Sequence, residues 1–222
     1  PKNKKIYESL KLLIKYNDLN EKYWIFNDES ETELYKKVFN NSIPLGEIPC
    51  HISRGSSTGS DKIYIIKSEE GKYYDYDGNV IEIESDLLIT PIYATDFSRY
   101  SFKKKGNELL LFPYKKDLND CFKLIDEKDL KEFYPLSYEY LIRHQNELKT
   151  RKQFNTWYAY SAARNLDLHS KADILIPLLA NKGLFTINNI KDNSTLMAGG
   201  GFSLSIKSRL LVLLEVSTKF QF

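Results

Sequence analysis

The sequence predicts an α+β fold with mixed sheets and several short helices. Short β-branched and aromatic runs follow one another through the first half of the chain, and helical patterns flank them without the regular βαβ alternation of a doubly wound sheet. A length of 222 residues gives room for one large domain or two small ones. Contents of 42% hydrophobic and 28% charged residues are ordinary for a globular chain and favour neither disorder nor a membrane span.

The N-terminal part of the chain has a helical pattern. Apolar spacing predicts a short amphipathic helix over 4–16, and Ser30 and Glu33 form a capping-box pattern ahead of a second helix. We therefore expect a helical segment over 1–40 and a single further domain over 41–222.

The remaining elements follow from residue type and turn signals. Asp77-Gly78 predicts a hairpin turn between two strands. The predicted strands span 63–66, 72–76, 80–84, 87–93, 108–112, 121–125, 157–160, 173–179, 184–188 and 202–206. The other predicted helices span 126–133, 134–151 and 208–216.

Cysteine use and hydropathy limit the classes of protein. Cys50 and Cys121 are too few for a disulfide scaffold or a four-cysteine zinc site, and they fit a reducing, cytoplasmic compartment. The apolar run over 210–214 is far shorter than the roughly 18 residues that a spanning helix needs, so no membrane partner is expected.

Catalytic constellations are mostly missing from the sequence. Adjacent Cys50 and His51 would point to opposite faces of a strand, so they cannot form a nucleophile–base pair. The glycine run over 199–201 lacks the lysine and serine of a phosphate loop and is expected to form a turn. Glu82 and Glu84 share one face of a hairpin and are expected to be solvated. We therefore expect no catalytic residue, metal or cofactor in this chain, which disfavours a stand-alone nuclease.

Charge is unevenly distributed along the chain. Residues 54–101 carry five basic and nine acidic residues, whereas residues 143–171 carry six basic and two acidic ones. Aromatic residues, including Trp157 and Tyr158, interleave with this second stretch. Clustered cations beside aromatic rings suit a polyanion whose bases stack. A solvated helix end followed by an aromatic core strand explains the same pattern.

Four stretches occur in an order that resembles a known family. They are the loop and strand ISRGSSTGSDKIYII over 52–66, the segment ending in DFSRY over 96–100, the pair LLFPY over 110–114 and YPLSYEYL over 134–141, and the stretch with Leu148, Arg151, Trp157, Tyr158 and Arg164 followed by ADILIP over 172–177. This order resembles the C-terminal target-recognition domain of adenine-specific (N6) DNA methyltransferases of the Taq type. It also resembles the type IIG restriction–modification proteins, which fuse nuclease, methyltransferase and specificity domain.

The chain departs from the family pattern in ways that bear on function. Ala172-Asp173 stands where the family has a lysine, which leaves Lys171 without an assigned role. The Asn-Pro-Pro-aromatic motif that holds the target adenine is missing, as is the glycine motif for S-adenosylmethionine. The resemblance therefore implies a fragment of a longer protein whose catalytic domain lies upstream of Pro1.

The resemblance implies a DNA-recognition lobe that is not itself catalytic. An adenine inside a duplex must be extruded before methylation, and a second lobe that closes on the DNA assists this step. The implied partners are double-stranded DNA and the upstream methyltransferase domain. S-adenosylmethionine would be the cofactor of the parent protein, and Mg²⁺ would be added where a nuclease is fused. The expected DNA-binding residues are Arg54, Ser56, Ser57, Thr58, Lys62, Arg99, Arg143, Arg151, Lys152, Trp157, Tyr158 and Arg164.

A second class of function fits the composition. Sixteen tyrosines and two tryptophans are physically reasonable anchors for an aromatic-rich module that binds protein or carbohydrate without affinity for DNA. Salt dependence separates the two classes, because DNA binding weakens steeply with salt and an aromatic contact does not.

Overall fold

The computed structural model describes residues 29–180, 183–188 and 193–206. The chain divides into two compact units, of which the first ends at Ile48 and the second begins at Pro49. In the first unit, helix α1 (Glu29–Asn40) confirms the helix predicted from the capping-box pattern, although Ser30 lies inside the helix. The helices predicted over 4–16 and 208–216 lie outside the described residues.

The second unit is an α+β structure, as the sequence predicts. Its described helices are α2 (Asp61–Tyr64), α3 (Glu127–Phe133), α4 (Pro135–Arg143), α5 (Gln145–Lys149) and α6 (Leu166–His169). Its described strands are β1 (Cys50–Arg54), β2 (Ile65–Glu69), β3 (Lys72–Tyr74), β4 (Val80–Ile81), β5 (Leu88–Ile92), β6 (Phe97–Ser98), β7 (Ser101–Phe102), β8 (Glu108–Leu111), β9 (Tyr114–Lys116), β10 (Phe122–Leu124), β11 (Ile174–Pro177), β12 (Thr186–Ile187), β13 (Ser194–Leu196) and β14 (Gly201–Ile206).

Two sheets organise this unit. The larger one has the strand order β13-β5-β8-β2-β3-β4, and only its β13–β5 pair is parallel. The smaller one has the order β1-β14-β11-β12 and is antiparallel throughout. Strands β9 and β10 form a separate hairpin, and so do β6 and β7.

The hairpin turn predicted at Asp77-Gly78 is confirmed. It joins β3 to β4, and Gly78 adopts a φ of 85°, a conformation that glycine reaches without steric cost. The Asp75 carboxylate accepts hydrogen bonds from the backbone and side-chain amides of Asn79 at 2.8 and 3.0 Å. Although partial burial alone raises the pKa of Asp75, these hydrogen bonds hold it below its ordinary value.

Buried tyrosines tie the main hydrophobic core to the backbone. The hydroxyl of Tyr64 donates to the Tyr158 carbonyl at 2.8 Å, and the hydroxyl of Tyr158 donates to the Ile125 carbonyl at 2.7 Å. Tyr160 donates in the same way to Leu111 at 2.7 Å. Burial raises the pKa of Tyr158 to about 12, since an anion would lose its hydration there. Each of these three buried rings therefore adds buried apolar area, and each hydroxyl has a hydrogen-bond partner.

Three predicted elements take a different form. The helix predicted over 134–151 is broken at His144, whose φ of −100° and ψ of 6° leave the helical region and separate α4 from α5. The strand predicted over 157–160 is a series of turns, because its carbonyls accept from an arginine side chain rather than from a neighbouring strand. The strand predicted over 63–66 begins two residues late, after the short helix α2.

Glu84 corrects the expectation of a solvated carboxylate. Its oxygens accept from the backbone amides of Leu136 and Ser137, both at 2.8 Å, and from the Ser137 hydroxyl. These amides lie in the first turn of α4, where the helix offers unpaired donors and a positive dipole end. Although burial alone raises the pKa of Glu84, the hydrogen bonds from Ser137 and Leu136 hold it below its ordinary value. Glu84 therefore joins the β4 side of the larger sheet to α4.

Candidate nucleic-acid interface

The loop over 54–60 follows β1 and is held against the turn after β13. The amide of Ser56 donates to the Leu196 carbonyl at 2.8 Å, and the amide of Ala198 donates back to the Ser56 carbonyl at 2.6 Å. A Cβ atom added at Gly55 would lie 2.2 Å from the Met197 carbonyl oxygen, so the two backbones touch. The glycine that begins this loop is thus required by packing.

The same loop lies beside a segment about one hundred residues further along the chain. Ser57 and Ala162 exchange backbone hydrogen bonds at 2.9 and 3.0 Å, and the Ser161 amide donates to the Thr58 carbonyl at 3.1 Å. The Ser56 hydroxyl donates to the Arg164 carbonyl at 3.0 Å. The structure therefore brings together two of the stretches on which the family resemblance rests.

The Arg151 side chain joins the loop over 54–60 to the neighbouring segment through hydrogen bonds to backbone carbonyls. Its Nε donates to the Leu148 carbonyl at 2.8 Å, one terminal nitrogen donates to Thr58 and Ala159 at 2.7 and 2.8 Å, and the other donates to Trp157 at 2.5 Å. Its guanidinium carbon also lies 5.8 Å from the centre of the Tyr64 ring. These four bonds leave little of the fork for a phosphate, so Arg151 organises the loops and is not an exposed DNA-binding group.

Four more of the expected DNA-binding residues have buried side chains. Ser56 and Thr58 are fully buried, Tyr158 is 2% exposed and Trp157 is 8% exposed. The Thr58 hydroxyl donates to the Asp61 carboxylate, and the Trp157 ring nitrogen donates to Glu127 at 3.2 Å. The side chains of these four residues are therefore buried and have hydrogen-bond partners within the fold.

Three of the expected residues are accessible at the junction. Arg54 is the last residue of β1 and is exposed, Ser57 is partly exposed in the loop, and Arg164 is exposed at the end of the neighbouring segment. The position of Arg54 is set by β1 in the smaller sheet. The positions of Ser57 and Arg164 are set by the backbone pairing of Ser57 with Ala162. We call this surface, made of Arg54, Ser57 and Arg164, the junction face.

The other accessible cations lie on other elements. Lys62 in α2 stands over the Tyr76 ring at 5.9 Å, on the hairpin between β3 and β4. Arg143 ends α4, and Arg99 lies in the turn between β6 and β7. Lys152 is exposed just after α5. No hydrogen bond or ion pair of the described residues ties these four side chains to the junction face.

Part of the positive charge over 143–171 is already paired with acidic residues of the same chain. Lys171 forms an ion pair with Asp120 at 2.7 Å, and the Asp167 carboxylate accepts from the Phe122 amide at 2.5 Å. Hydrogen bonds from Lys116 and Lys171 lower the pKa of Asp120 to about 2. The hairpin of β9 and β10 is thereby fastened to α6, so the cations that remain for a ligand are fewer than the sequence suggests.

A cleft of about 400 Å³ opens next to the junction face. It lies at the carboxyl ends of β1, β5 and β13. The sequence pattern assigns no function to most of the residues that line it. The expected turn over 199–201 is confirmed and forms one wall, since the Gly200 amide donates to the Met197 carbonyl at 2.8 Å. The lining residues are Ser56, Ser57, Asp61, Tyr93, Ala94, Thr95, Met197, Ala198 and Gly199.

His169 is a buried histidine behind the junction face. One ring nitrogen, Nδ1, lies 2.9 Å from the Thr195 hydroxyl, and Nε2 is buried without a hydrogen-bond partner among the described residues. Burial lowers the pKa of His169 to about 4, against smaller opposing effects of the Arg54 backbone and the Asp167 carboxylate. The ring is therefore neutral in the folded chain near neutral pH.

Because His169 is buried in its neutral form, we expect the folded protein to lose stability in acid. Between about pH 6.5 and pH 4 the unfolded chain binds a proton at His169 that the folded chain does not, so the free energy of unfolding falls as pH falls. The contribution is up to about 3 kcal/mol. Urea unfolding across this range should show a flatter pH dependence for His169→Gln than for the wild type. Equal losses in the two proteins would show that the buried ring does not cause the effect.

Among the described residues, no group of three or more histidine, cysteine, aspartate or glutamate side chains is placed to hold a metal ion. In the same part of the chain, no helix is long and apolar enough to cross a bilayer. No known family model matches this chain.

Proposed function

We propose that this chain is the DNA-recognition lobe of an S-adenosylmethionine-dependent adenine-N6 DNA methyltransferase of the type IIG restriction–modification kind. In this proposal the lobe binds double-stranded DNA and acts together with an upstream catalytic domain, which binds S-adenosylmethionine. Mg²⁺ would serve a fused nuclease. The observation that carries the proposal is the junction face, where two stretches that resemble the family's motifs meet although they are far apart in sequence.

The junction face has the chemistry that a duplex requires. Arg54 and Arg164 offer planar forks that bind phosphate oxygens or guanine edges, and Ser57 adds a hydroxyl. Arg151 and Gly55 hold the loop beneath them in one conformation. A loop that is already ordered loses little conformational freedom on binding, which raises affinity.

The aromatic alternative has less support from the structure. Trp157, Tyr64, Tyr158 and Tyr160 are buried, so they cannot serve as surface anchors without rearrangement. Tyr76 and Tyr100 are exposed at 66% and 53% but lie on different hairpins. A protein or carbohydrate partner is therefore the competing outcome of the binding experiment rather than a second proposal.

Removal of the two arginines of the junction face tests the proposal. The double variant Arg54→Ala/Arg164→Ala should bind duplex DNA more weakly, and the slope of log K against log salt should flatten by about two units, since each phosphate contact contributes about 0.9. Fluorescence anisotropy with a labelled duplex between about 50 and 200 mM salt measures both quantities.

A matched control uses two exposed cations of α3. The double variant Lys128→Ala/Lys131→Ala also removes two positive charges, yet neither residue belongs to the junction face. We expect it to retain the wild-type slope. Equal flattening in both double variants would attribute binding to overall charge, and an unchanged slope in the arginine variant would overturn the proposed face.

A further inference from the structure

The cleft beside the junction face has a built and rigid frame. Strands β13 and β5 are parallel, so their carboxyl ends meet at the same edge of the larger sheet. The Met197 amide donates to the Ile92 carbonyl at 3.1 Å, and the Ser56 amide donates to Leu196. Three loops are thereby fastened to one another around the opening. At about 400 Å³ the cleft lies near the lower end of the range for small-ligand sites, so it has room for the edge of one base.

Asp61 is the one charged residue among those that line the cleft. It is exposed at the start of α2, and the Thr58 hydroxyl donates to its Oδ1. Among the described residues it forms no ion pair, and its Oδ2 accepts no hydrogen bond from them. An ionised carboxylate only accepts hydrogen bonds, so its complement is a group with N–H donors.

The surroundings narrow the class of ligand further. A carboxylate repels a phosphate, so Asp61 is unsuited to the DNA backbone although it lies next to the loop that carries Arg54 and Ser57. In the major groove, cytosine presents its N4 amine and adenine its N6 amine, whereas guanine and thymine present carbonyl oxygens. Aspartate accepting from cytosine N4 is an established form of direct base recognition. Ser57 and Thr95, which also line the cleft, have hydroxyls that both donate and accept.

We infer that this cleft reads one amino-bearing base edge, with Asp61 as the acceptor for the exocyclic amine of cytosine or adenine. The inference rests on the proposed function and deepens it, because it assigns one position of the recognised sequence to one residue. Arg54 and Arg164 bind the backbone alongside and so hold the duplex in register with the cleft.

An isosteric substitution tests this assignment. In Asp61→Asn the side-chain oxygen still accepts from Thr58, while the new amide donates toward the cleft. A position at which the wild type selects cytosine should therefore change to another base, by about tenfold in relative affinity. An amide also binds the N6 and N7 edge of adenine, so a position at which the wild type selects adenine should keep that base in this variant. Selection of bound duplexes from a random pool by the 222-residue chain, followed by sequencing, measures the preference at every position.

Two further variants make the result decisive. Asp61→Ala removes the acceptor without adding a donor, so it should lose preference at the same position and gain none. Asp86→Asn removes one negative charge from an exposed site outside the cleft, so its selected sequence should match that of the wild type. If both Asp61 variants select the wild-type sequence, the inference is overturned while the proposed function stands. If the wild type binds no DNA, the proposed function fails and the inference fails with it.

Discussion

Arg151→Ala should lower the free energy of unfolding by about 3 kcal/mol, since it removes a side-chain donor from four buried or half-buried carbonyls, of which that of Thr58 keeps the Ser161 amide as a second donor. The affected carbonyls belong to Leu148, Thr58, Ala159 and Trp157, so the helix end, the loop over 54–60 and the turns over 157–160 are released together. Arg151→Lys should recover little of this loss, because a single ammonium on a flexible stem cannot reach carbonyls in four directions. Urea unfolding followed by circular dichroism gives the two values.

Arg164→Ala is the matched control for this change. Arg164 has the same side chain in the same part of the chain, but it is exposed, and its one hydrogen bond to a side chain among the described residues is made by its backbone carbonyl, which accepts from the Ser56 hydroxyl. Its substitution should change stability by no more than about 0.5 kcal/mol. Equal stability losses for the two arginine variants would show that the hydrogen bonds of Arg151 do not hold the junction.

Gly55→Ala should destabilise the second unit by about 3 kcal/mol. The new methyl group would lie 2.2 Å from the Met197 carbonyl oxygen and 2.7 Å from that of Leu196, and both atoms are backbone atoms that cannot turn aside. The loop over 54–60 would have to move away from β13, and the hydrogen bonds of Ser56 with Leu196 and Ala198 would lengthen. Thermal and urea unfolding measure the loss.

Gly199→Ala separates this contact from the general effect of replacing a glycine. A Cβ atom at Gly199 would meet nothing within 4 Å, although the residue lies in the turn that faces the same loop. We expect this variant to keep wild-type stability or to gain a few tenths of a kcal/mol. A Gly55→Ala protein as stable as Gly199→Ala would contradict the close approach of the two backbones.

Periodicity and turn chemistry predicted the regular part of the fold. The helix α1, the hairpin at Asp77-Gly78 and most strands of the larger sheet follow from local signals, and these elements are confirmed. The strand expected over 157–160 is wrong because the carbonyls of Trp157 and Ala159 accept hydrogen bonds from Arg151, a contact that no local pattern encodes. Strands β1, β6, β7, β9 and β13 were not predicted, and four of these five strands are only two or three residues long.

The candidate site was predicted in part, and the division has a physical reason. Arg54, Ser57 and Arg164 are accessible as the sequence suggests, because charged and loop residues tend to stay in water. Ser56, Thr58, Trp157 and Tyr158 were also expected at the interface and are buried instead. Residue type alone does not distinguish an arginine that binds a ligand from one that binds carbonyls. Asp61 lies in the loop and strand over 52–66, but the sequence pattern assigns it no role.

The salt dependence of duplex binding by the 222-residue chain tests the proposed DNA-recognition function most directly. A random-sequence labelled duplex titrated with the chain at increasing salt reports the number of ions released on binding. We predict a measurable affinity at about 50 mM salt and a linear fall of log K with log salt, with a slope of about −2 or steeper. An affinity that stays constant from about 50 to 200 mM salt, or no binding at the lowest salt, would contradict a DNA-recognition lobe.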